Sequence, residues 1–488
     1  MKAISGHIIC AAIAFGLLGS AKGLDEGLIA DTVDLPSFIH EYKLDASYLS
    51  AAEKANRLSN ITSMVQLGNL PGALLAYFFS AWIGPLWTMR EMCFLWIIGV
   101  VIVLTSDGEY GQLIAGRFIS GMGIGQAGIV GPIYLAEVAP TSHRGLLVGI
   151  YASSEYIGIL IGYFAGYGAS LHLSNTSREQ WILPQSSQIM MAVVLLLFSL
   201  GCLESPRYLC EKHRQAQAAQ VLERLRQLPE DSPSILEELN LIQDELITKQ
   251  TDNKKQWISL EPWKLLFGKR ANLSKLGFLI SAQILSQWSG TNAITTYAPK
   301  FFELLDVTGQ SEKLLKTAIF GAVKFASAIL CAILFIDRLG RKRCLVSGIT
   351  LQLLSLLYVA IYLTVSSSLG TKIHSANMHR ADIAAIASLY VTGVGYAFGW
   401  NSIQYLINTE ILPTSIRALG TSILMLIHGA MRFALVKALP SMMLEDALQP
   451  KGTFWFFFVV ALLGLIWGVF LLPETSQKDL KETSEMIS

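Results

Sequence analysis

Long apolar stretches recur along nearly the whole chain, and shorter polar segments separate them. Most reach about 18 residues, enough for an α-helix to cross a hydrocarbon core of about 30 Å. Helices are expected because a helix satisfies its backbone hydrogen bonds within its own segment. The pattern predicts an all-α integral membrane protein with twelve transmembrane helices, near 8–30, 60–81, 91–106, 112–137, 145–168, 185–203, 274–301, 315–336, 344–366, 382–407, 419–440 and 453–472.

Composition supports a membrane protein. Hydrophobic residues make up 52% of the chain and charged residues only 15%, whereas soluble domains carry about 25% charged residues. The formal net charge of +1 gives no indication of a nucleic-acid partner. The sequence therefore predicts membrane lipid as the surroundings of the chain.

The distribution of basic residues predicts the orientation. A polar stretch rich in lysine and arginine, 204–273, separates the sixth and seventh predicted helices, and the short loop "DRLGRKR" at 337–343 is also basic. The connection at 170–184 carries only Arg178. The positive-inside rule then places the long stretch and both termini in the cytoplasm.

Two matching motifs divide the chain into halves. "EVAPTSHRG" at 137–145 and "EILPTSIRALG" at 410–420 share E-x-x-P-T-S-x-R, and each ends the fourth helix of a set of six. Two unrelated helix-ending turns are the alternative, since proline is common after a helix. Duplication predicts a six-helix half at 1–203, a linker with short amphipathic helices at 204–273, a second half at 274–473 and a tail at 474–488. Many secondary transporters are built from such repeats, with the substrate site between them.

Seven motifs in order resemble the sugar-porter branch of the major facilitator superfamily, in particular fungal monosaccharide and quinate permeases. They are "GRFISGMGIG", "PIYLAEVAPTSHRG", "ESPRYL", "QWSGTNAITTYAP", "DRLGRK", "EILPTSIR" and "PETS", and the likeness covers almost the whole chain. The resemblance implies a monomeric carrier of a small polyhydroxylated solute that works by alternating access in the plasma membrane. No cofactor is expected, because a proton gradient would supply the driving force.

The resemblance also implies a proton-coupling pair. "GLDEGLIADTV" places Asp25 where proton-coupled members have an acid on the first helix, and "GRF" supplies Arg117 on the fourth. A carboxylate that alternates between an arginine partner and a buried site changes its proton affinity. The alternative is a static ion pair that holds the two helices together.

A charge network at the cytoplasmic ends of the helices is implied in the same way. In the family such residues join the inner ends of the halves while the outer side is open. Exposed pairs contribute little singly, but several together bias a two-state equilibrium. The matching positions are Glu137, Arg144, Glu204, Arg207, Asp337, Arg338, Arg341, Glu410 and Arg417.

One part of this network departs from the family pattern. After the second helix the chain reads "AWIGPLWTMR", so Ala81, Trp82 and Pro85 stand where the family has an acid and two basic residues. The loss either loosens the outward-open state or impairs transport. Intact motifs in the other half favour a working carrier.

Candidate substrate-binding residues come from helices seven, eight, ten and eleven. They are Gln287, Asn292, Lys324, Trp400, Gln404, Tyr405, His428 and Arg432. Two fixed cations and an imidazole around a polar cavity would favour an anion, ideally a carboxylate gripped by arginine. A hydroxylated acid such as quinate or a sugar acid is one hypothesis, and a neutral monosaccharide or polyol is the other. Lys324 could also pair with Asp31 or extend toward a helix end.

Other classes of protein fit less well. The six cysteines are scattered without metal-ligand spacing, so neither a disulfide framework nor a metal site is expected. No catalytic constellation or phosphate-binding loop indicates an enzyme. A transport-impaired nutrient sensor remains an alternative, although only a short tail follows Pro473.

Overall fold

The computed structural model describes residues 5–139, 144–251, 261–307, 309–335, 339–369 and 376–474, and these ranges contain helices and no strand. The N-terminal helices are α1 (Gly6–Ala14), α2 (Leu18–Thr32), α3 (Pro36–Glu41), α4 (Ala51–Ile83), α5 (Pro85–Leu104), α6 (Tyr110–Val138), α7 (Arg144–His172) and α8 (Glu179–Ser199). The linker forms α9 (Pro206–Glu211), α10 (Gln215–Arg226), α11 (Pro233–Thr251) and α12 (Glu261–Gly268). The C-terminal helices are α13 (Arg270–Trp288), α14 (Thr291–Thr296), α15 (Ala298–Leu304), α16 (Gln310–Leu330), α17 (Arg341–Leu369), α18 (Ala376–Tyr396), α19 (Ser402–Ile411), α20 (Thr414–Met442) and α21 (Gln449–Ile466).

Eight helical segments among the described residues are long and apolar enough to cross a membrane by themselves. The other predicted spans coincide with α4, α7, the α13–α15 segment and α16. α16 shows why composition alone misses such spans, because its 21 residues include Glu312, Lys313, Lys316 and Lys324. Polar residues at membrane depth generally face the protein interior or a water-filled cavity.

The predicted second helix starts too late. α4 begins at Ala51 rather than near residue 60, because Ser50 and Glu53 form a capping box. The Ser50 N–H donates to Glu53 Oε2 at 2.8 Å, and the Glu53 N–H donates to Ser50 Oγ at 3.2 Å. These bonds satisfy donors that the first helical turn would leave free.

The prediction of one continuous seventh helix at 274–301 is wrong. The segment is broken into α13, α14 and α15, and Gly290 has a left-handed φ of +91° at the first break. A Cβ at Gly290 would lie 2.4 Å from Cγ of Phe457. The position therefore needs glycine both for its backbone angle and for the approach of α21.

Small residues bring α2 against α7. A Cβ added at Gly23 would lie 1.8 Å from the Glu155 carbonyl oxygen, and one at Gly27 would lie 2.5 Å from the Ile159 carbonyl oxygen. Small residues allow membrane helices to approach at backbone distance. This contact places Glu155 beside the charged residues of α2.

Contacts between the two halves close one end of the molecule. We call it the first-loop end, because it contains residues 33–50, and we call the end containing 204–251 and 261–268 the linker end. Lys313 of α16 lies 2.9 Å from Asp34, and Lys437 of α20 donates to Asn56 of α4 at 2.8 Å. The Tyr297 hydroxyl contacts Thr62 between these points. The first-loop end is therefore sealed in this conformation.

Candidate functional site

A charged cluster joins the halves near the middle of the helices. Arg432 of α20 pairs with Glu26 of α2 through Nη2, and its Nη1 lies 3.2 Å from Glu155 Oε1 of α7. Lys22 Nζ lies 3.0 Å from the same Glu155 oxygen. The Arg432 and Glu26 side chains are 3% and 2% exposed. The guanidinium thus binds two carboxylates from the opposite half.

This pairing corrects part of the expectation that two fixed cations and an imidazole surround the cavity. Arg432 is expected from the sequence to be a fixed cation that grips the substrate, but in the structure it pairs with two carboxylates. Sequence reasoning missed Lys22, Glu26 and Glu155. The available signal was their charge within apolar segments, which is costly unless the charges are paired or functional.

Lys324 of α16 is buried near this cluster. Its Nζ donates to Thr295 Oγ1 at 2.6 Å and lies 5.0 Å from the ring centroid of Tyr156 and 5.5 Å from that of Phe320. The side chain neither extends to a helix end nor bonds Asp31, whose two oxygens have no hydrogen-bond partner among the described residues. The hydroxyl and the ring faces leave donors of the ammonium group available.

The charges of these side chains do not cancel. Lys22, Lys324 and Arg432 supply three positive charges, whereas Glu26 and Glu155 supply two negative charges. The cluster therefore has a formal charge of +1 when all five groups are ionised. One further negative charge would balance it.

A network of amides lies beside the charged cluster in the C-terminal half. His428 Nδ1 lies 3.2 Å from Gln287 Nε2 and 3.0 Å from Gln283 Oε1. Asn292 Nδ2 donates to Gln287 Oε1 at 2.7 Å and to the Tyr396 hydroxyl at 3.1 Å. Amides offer donors and acceptors together, so this network can hydrogen-bond the hydroxyl groups of a ligand.

The network also extends to α19. Gln404 Oε1 accepts from Ser286 Oγ at 2.7 Å, and Asn408 Oδ1 accepts from Gln283 Nε2 at 3.2 Å. The predicted residues Gln287, Asn292, Gln404 and His428 are therefore brought together. Gln283, Tyr396 and Asn408 were not identified from the sequence, although their polarity within apolar segments was a signal.

Trp400 is not part of this network. It is fully buried in a hydrophobic cluster, where its ring centroid lies 5.9 Å from that of Trp467. A Cβ at Gly464 would lie 3.2 Å from Cζ2 of Trp400. The structure thus gives Trp400 a packing environment in place of the predicted cavity position. The Tyr405 side chain lies outside the described residues.

The predicted coupling pair is present as an ion pair. Arg117 Nη1 and Nη2 each lie 3.3 Å from an oxygen of Asp25, and Arg117 Nε donates to the Ile61 carbonyl. The Arg117 and Asp25 side chains are 2% and 4% exposed. A two-pronged contact of this kind fixes the orientation of both groups. Its role in proton coupling stays a prediction.

The predicted charge network is described only in part. Glu137 accepts from Ser205 Oγ at 2.6 Å, and Arg207 Nε lies 3.9 Å from Glu211. Arg341 donates its backbone N–H to Glu474 at 2.9 Å. Asp337 and Arg338, and the side chains of Arg144, Glu410 and Arg417, lie outside the described residues.

Glu204 supports the turn from which the family's charges are missing. Gly84 has φ +90°, and Glu204 Oε1 accepts from the Leu86 N–H at 3.3 Å at the start of α5. The Tyr208 hydroxyl donates to the Trp82 carbonyl at 2.8 Å. The turn that contains Ala81, Trp82 and Pro85 is thus held through the backbone groups of Trp82 and Leu86. A carboxylate at a helix N-terminus is stabilising without a basic partner.

The second half repeats this arrangement. Gly340 has φ +87°, and Glu474 accepts from the N–H groups of Arg341 and Lys342 at 2.9 and 3.2 Å. In each half a glycine precedes the third helix, and a glutamate that follows the sixth helix accepts backbone N–H groups at the start of the third. Shared local geometry supports the duplication indicated by the sequence.

The helices and the central polar site define a two-half membrane transporter of the major facilitator type. The sequence pattern of the family described as "Sugar (and other) transporter" matches residues 9–487, so the chain belongs to that family. It is a multi-pass transporter rather than an enzyme, and twelve spanning segments fit its fold.

Curated relatives carry more specific names. The chain is 31% identical to a quinate permease of Neurospora africana over 98% of this chain and 88% of the relative. It is 32% identical to a probable quinate permease of Aspergillus flavus over 95% of this chain and 85% of the relative.

Solved structures share the fold. The inward-open conformation of the xylose transporter XylE from E. coli matches with a TM-score of 0.79 at 20% identity, covering 99% of this chain and 100% of that one. The proton:xylose symporter XylE bound to 6-bromo-6-deoxy-D-glucose matches with a TM-score of 0.76 at 21% identity, covering 99% of each chain.

Proposed function

We propose that the protein is a proton-coupled symporter of a small hydroxylated carboxylic acid, similar to quinate or a sugar acid, that works by alternating access. The observation that carries this proposal is the unbalanced charge of the central cluster. Among the described residues, Lys22 and Arg432 pair with Glu155 and Glu26, whereas Lys324 donates to Thr295, so three positive charges stand against two negative ones. A monoanionic substrate would complete the balance, and quinate permeases are among the relatives.

Lys324 is the best anchor for the carboxylate of the substrate. Arg432 is occupied by Glu26 and Glu155, whereas the one hydrogen bond described for the Lys324 ammonium goes to Thr295. The neighbouring amides, including Gln287 and Asn292, would then bind the hydroxyl groups. Because ammonium hydrogen bonds to carboxylates are charge-assisted, this contact should contribute much of the affinity.

Proton coupling is assigned to Asp25 and Arg117. Their buried ion pair places the carboxylate against a guanidinium, and this contact favours its charged form over the protonated one. Opening of the site on one side would weaken the pair and allow Asp25 to take up a proton. The linker end is assigned to the cytoplasm on the basis of its basic residues, the membrane to the plasma membrane, and the working unit to a monomer.

A neutral monosaccharide or polyol is the second candidate. The pairing of Arg432 with two carboxylates favours it, because most of the positive charge is already satisfied. The amides and the Tyr396 hydroxyl would suffice for a ligand with hydroxyl groups alone. In that case Lys324 would bind only Thr295 and the ring faces.

Uptake into proteoliposomes distinguishes the two candidates. Labelled quinate, glucuronate and glucose are supplied with and without an inward proton gradient. The acid proposal predicts gradient-driven uptake of an acid. Uptake of that acid should fall at least about tenfold in Lys324→Met, because the variant loses one charge-assisted hydrogen bond of about 1.5–3 kcal/mol.

Lys316→Met is the matched control, because Lys316 lies on the same helix but pairs with Glu312 near the surface. It should transport like the unmodified protein. Strong glucose uptake that neither acid inhibits, and that Lys324→Met leaves unchanged, would replace the acid by the neutral solute.

A further inference from the structure

Asp31 is a buried carboxyl group that the proposed mechanism does not use. It lies in α2, about one and a half helical turns after Asp25 toward the first-loop end. The residue is 0% exposed, and neither carboxyl oxygen has a hydrogen-bond partner among the described residues. Asp25, in the same helix as Asp31, pairs with Arg117 of α6. The two carboxyl groups of α2 therefore have different environments.

The absence of a side chain at Gly166 makes room for the Asp31 carboxyl group. A Cβ at Gly166 of α7 would lie 2.3 Å from Asp31 Oδ2 and 2.6 Å from Asp31 Cβ. A larger residue at position 166 would therefore collide with the carboxyl group. The close fit shows that the Asp31 side chain packs directly against the backbone of α7.

The charged surroundings do not stabilise an anion. The titratable groups described around the site are Tyr163 of α7, Asp34 of the turn after α2, Lys313 of α16 and Glu303 of α15. Lys313 pairs with Asp34 at 2.9 Å and lies 3.5 Å from Glu303. Lys313, the cation that pairs with Asp34, is thus committed to other carboxylates. An ionised Asp31 would be unsolvated and repelled by Asp34.

We infer that Asp31 is a second proton-binding site, neutral while the first-loop end is closed and exposed to proton exchange when that end opens. The inference rests in part on the proposed proton coupling. Lys313 and Leu314 of α16 cover the turn that follows α2, Lys313 through Asp34 and Leu314 through apolar contacts. Separation of the halves at this end would remove that cover and let water reach the carboxyl group.

The sign of the pH effect follows from linkage. The closed end binds the neutral form, so protons favour closure. The ratio of closed to open molecules should fall as the pH rises, by up to about tenfold per pH unit for one linked proton. Asparagine at position 31 resembles the neutral acid in shape and should hold the end closed independently of this proton.

Infrared difference spectroscopy on the purified full-length protein tests the proton itself. The carbonyl stretch of a protonated carboxyl should be present at neutral pH and lost in Asp31→Asn. Asp45→Asn is the control, since Asp45 is exposed at the same end. A spectrum that Asp31→Asn leaves unchanged would overturn the inference. This measurement needs no transport, so it is independent of the substrate proposal.

Distance measurements between spin labels on the two halves at the first-loop end test the coupling. Closure should weaken with pH in the unmodified protein and in Asp45→Asn, and this dependence should be shallower in Asp31→Asn. Asp31→Ser, which is smaller and also fits beside Gly166, provides the same test if the asparagine variant does not fold. Equal slopes in all folded variants would refute the link to closure.

Discussion

Replacing Arg432 by methionine should destabilise the protein and open its first-loop end. The change keeps the length and much of the apolar stem of the side chain but removes the guanidinium group. Glu26 would then stay buried with a long hydrogen bond of 3.4 Å from Thr296 as its remaining described contact. Glu155 would keep Lys22 at 3.0 Å.

The size of the effect follows from burial. Removing one partner of a buried ion pair costs about 3–5 kcal/mol, because the remaining charged group loses its direct hydrogen-bonded partner. The Arg432 and Glu26 side chains belong to opposite halves and are 3% and 2% exposed. Their ion pair therefore stabilises both the folded state and the contact between the halves. If the free-energy difference between the closed and open conformations falls by about 3 kcal/mol, the ratio of closed to open molecules falls roughly a hundredfold.

Two measurements follow the change. Chemical denaturation of the detergent-solubilised protein gives the free energy of unfolding. Spin labels at Tyr48→Cys and Leu448→Cys, both exposed, report the separation of the halves at the first-loop end. Arg432→Met should lower the free energy of unfolding and broaden the distance distribution toward longer values.

Lys300→Met is the control, because it removes an exposed pair with Glu303 that is worth about 0–1 kcal/mol. Adding Glu26→Gln to Arg432→Met should recover part of the loss, because the buried charge is then neutral. If Arg432→Met costs no more than Lys300→Met and the label distances do not move, the cluster does not hold the halves together.

Three further changes have defined outcomes. Asp25→Asn should abolish gradient-driven accumulation but leave substrate exchange, measured by counterflow, and full accumulation would contradict its coupling role. Lys313→Met should lengthen the first-loop label distance less than Arg432→Met does, because its ion pair with Asp34 is more exposed; no change would show that this pair does not seal the end. Gly84→Ala should lower the melting temperature, since its φ is +90° and the new Cβ would lie 2.7 Å from Glu204 Oε2, with strain of about 1–3 kcal/mol. An unchanged melting temperature would mean that the turn relaxes.

The sequence predicts the spans because burial in lipid requires long apolar segments, and this requirement acts locally along the chain. It does not predict the break at Gly290. A glycine in a membrane segment serves close packing as readily as it serves a bend, and only the position of Phe457 identifies the second role. Similarly, the early start of α4 depends on a cap made by Ser50 and Glu53, outside the apolar stretch.

The candidate site was predictable residue by residue but not in its pairings. Lys324, His428 and Arg432 stand out as charged or titratable groups in apolar segments. The partner of Arg432 is Glu26, 406 residues away, and spacing along a single sequence cannot connect them. The expectation that Arg432 is a fixed cation available to the substrate is wrong for this reason, since the two carboxylates that pair with it come from the other half.

The missing charges after α4 need not disable the carrier, because the turn has two separable supports. One is the side-chain charge network, which lacks an acid and two basic residues at Ala81, Trp82 and Pro85. The other is the glutamate that accepts backbone N–H groups at the start of the next helix, and Glu204 provides it. Glu474 does the same in the half whose charged motif is intact. The backbone support therefore does not depend on the charges, and their loss should alter the balance between conformations more than the fold of the turn.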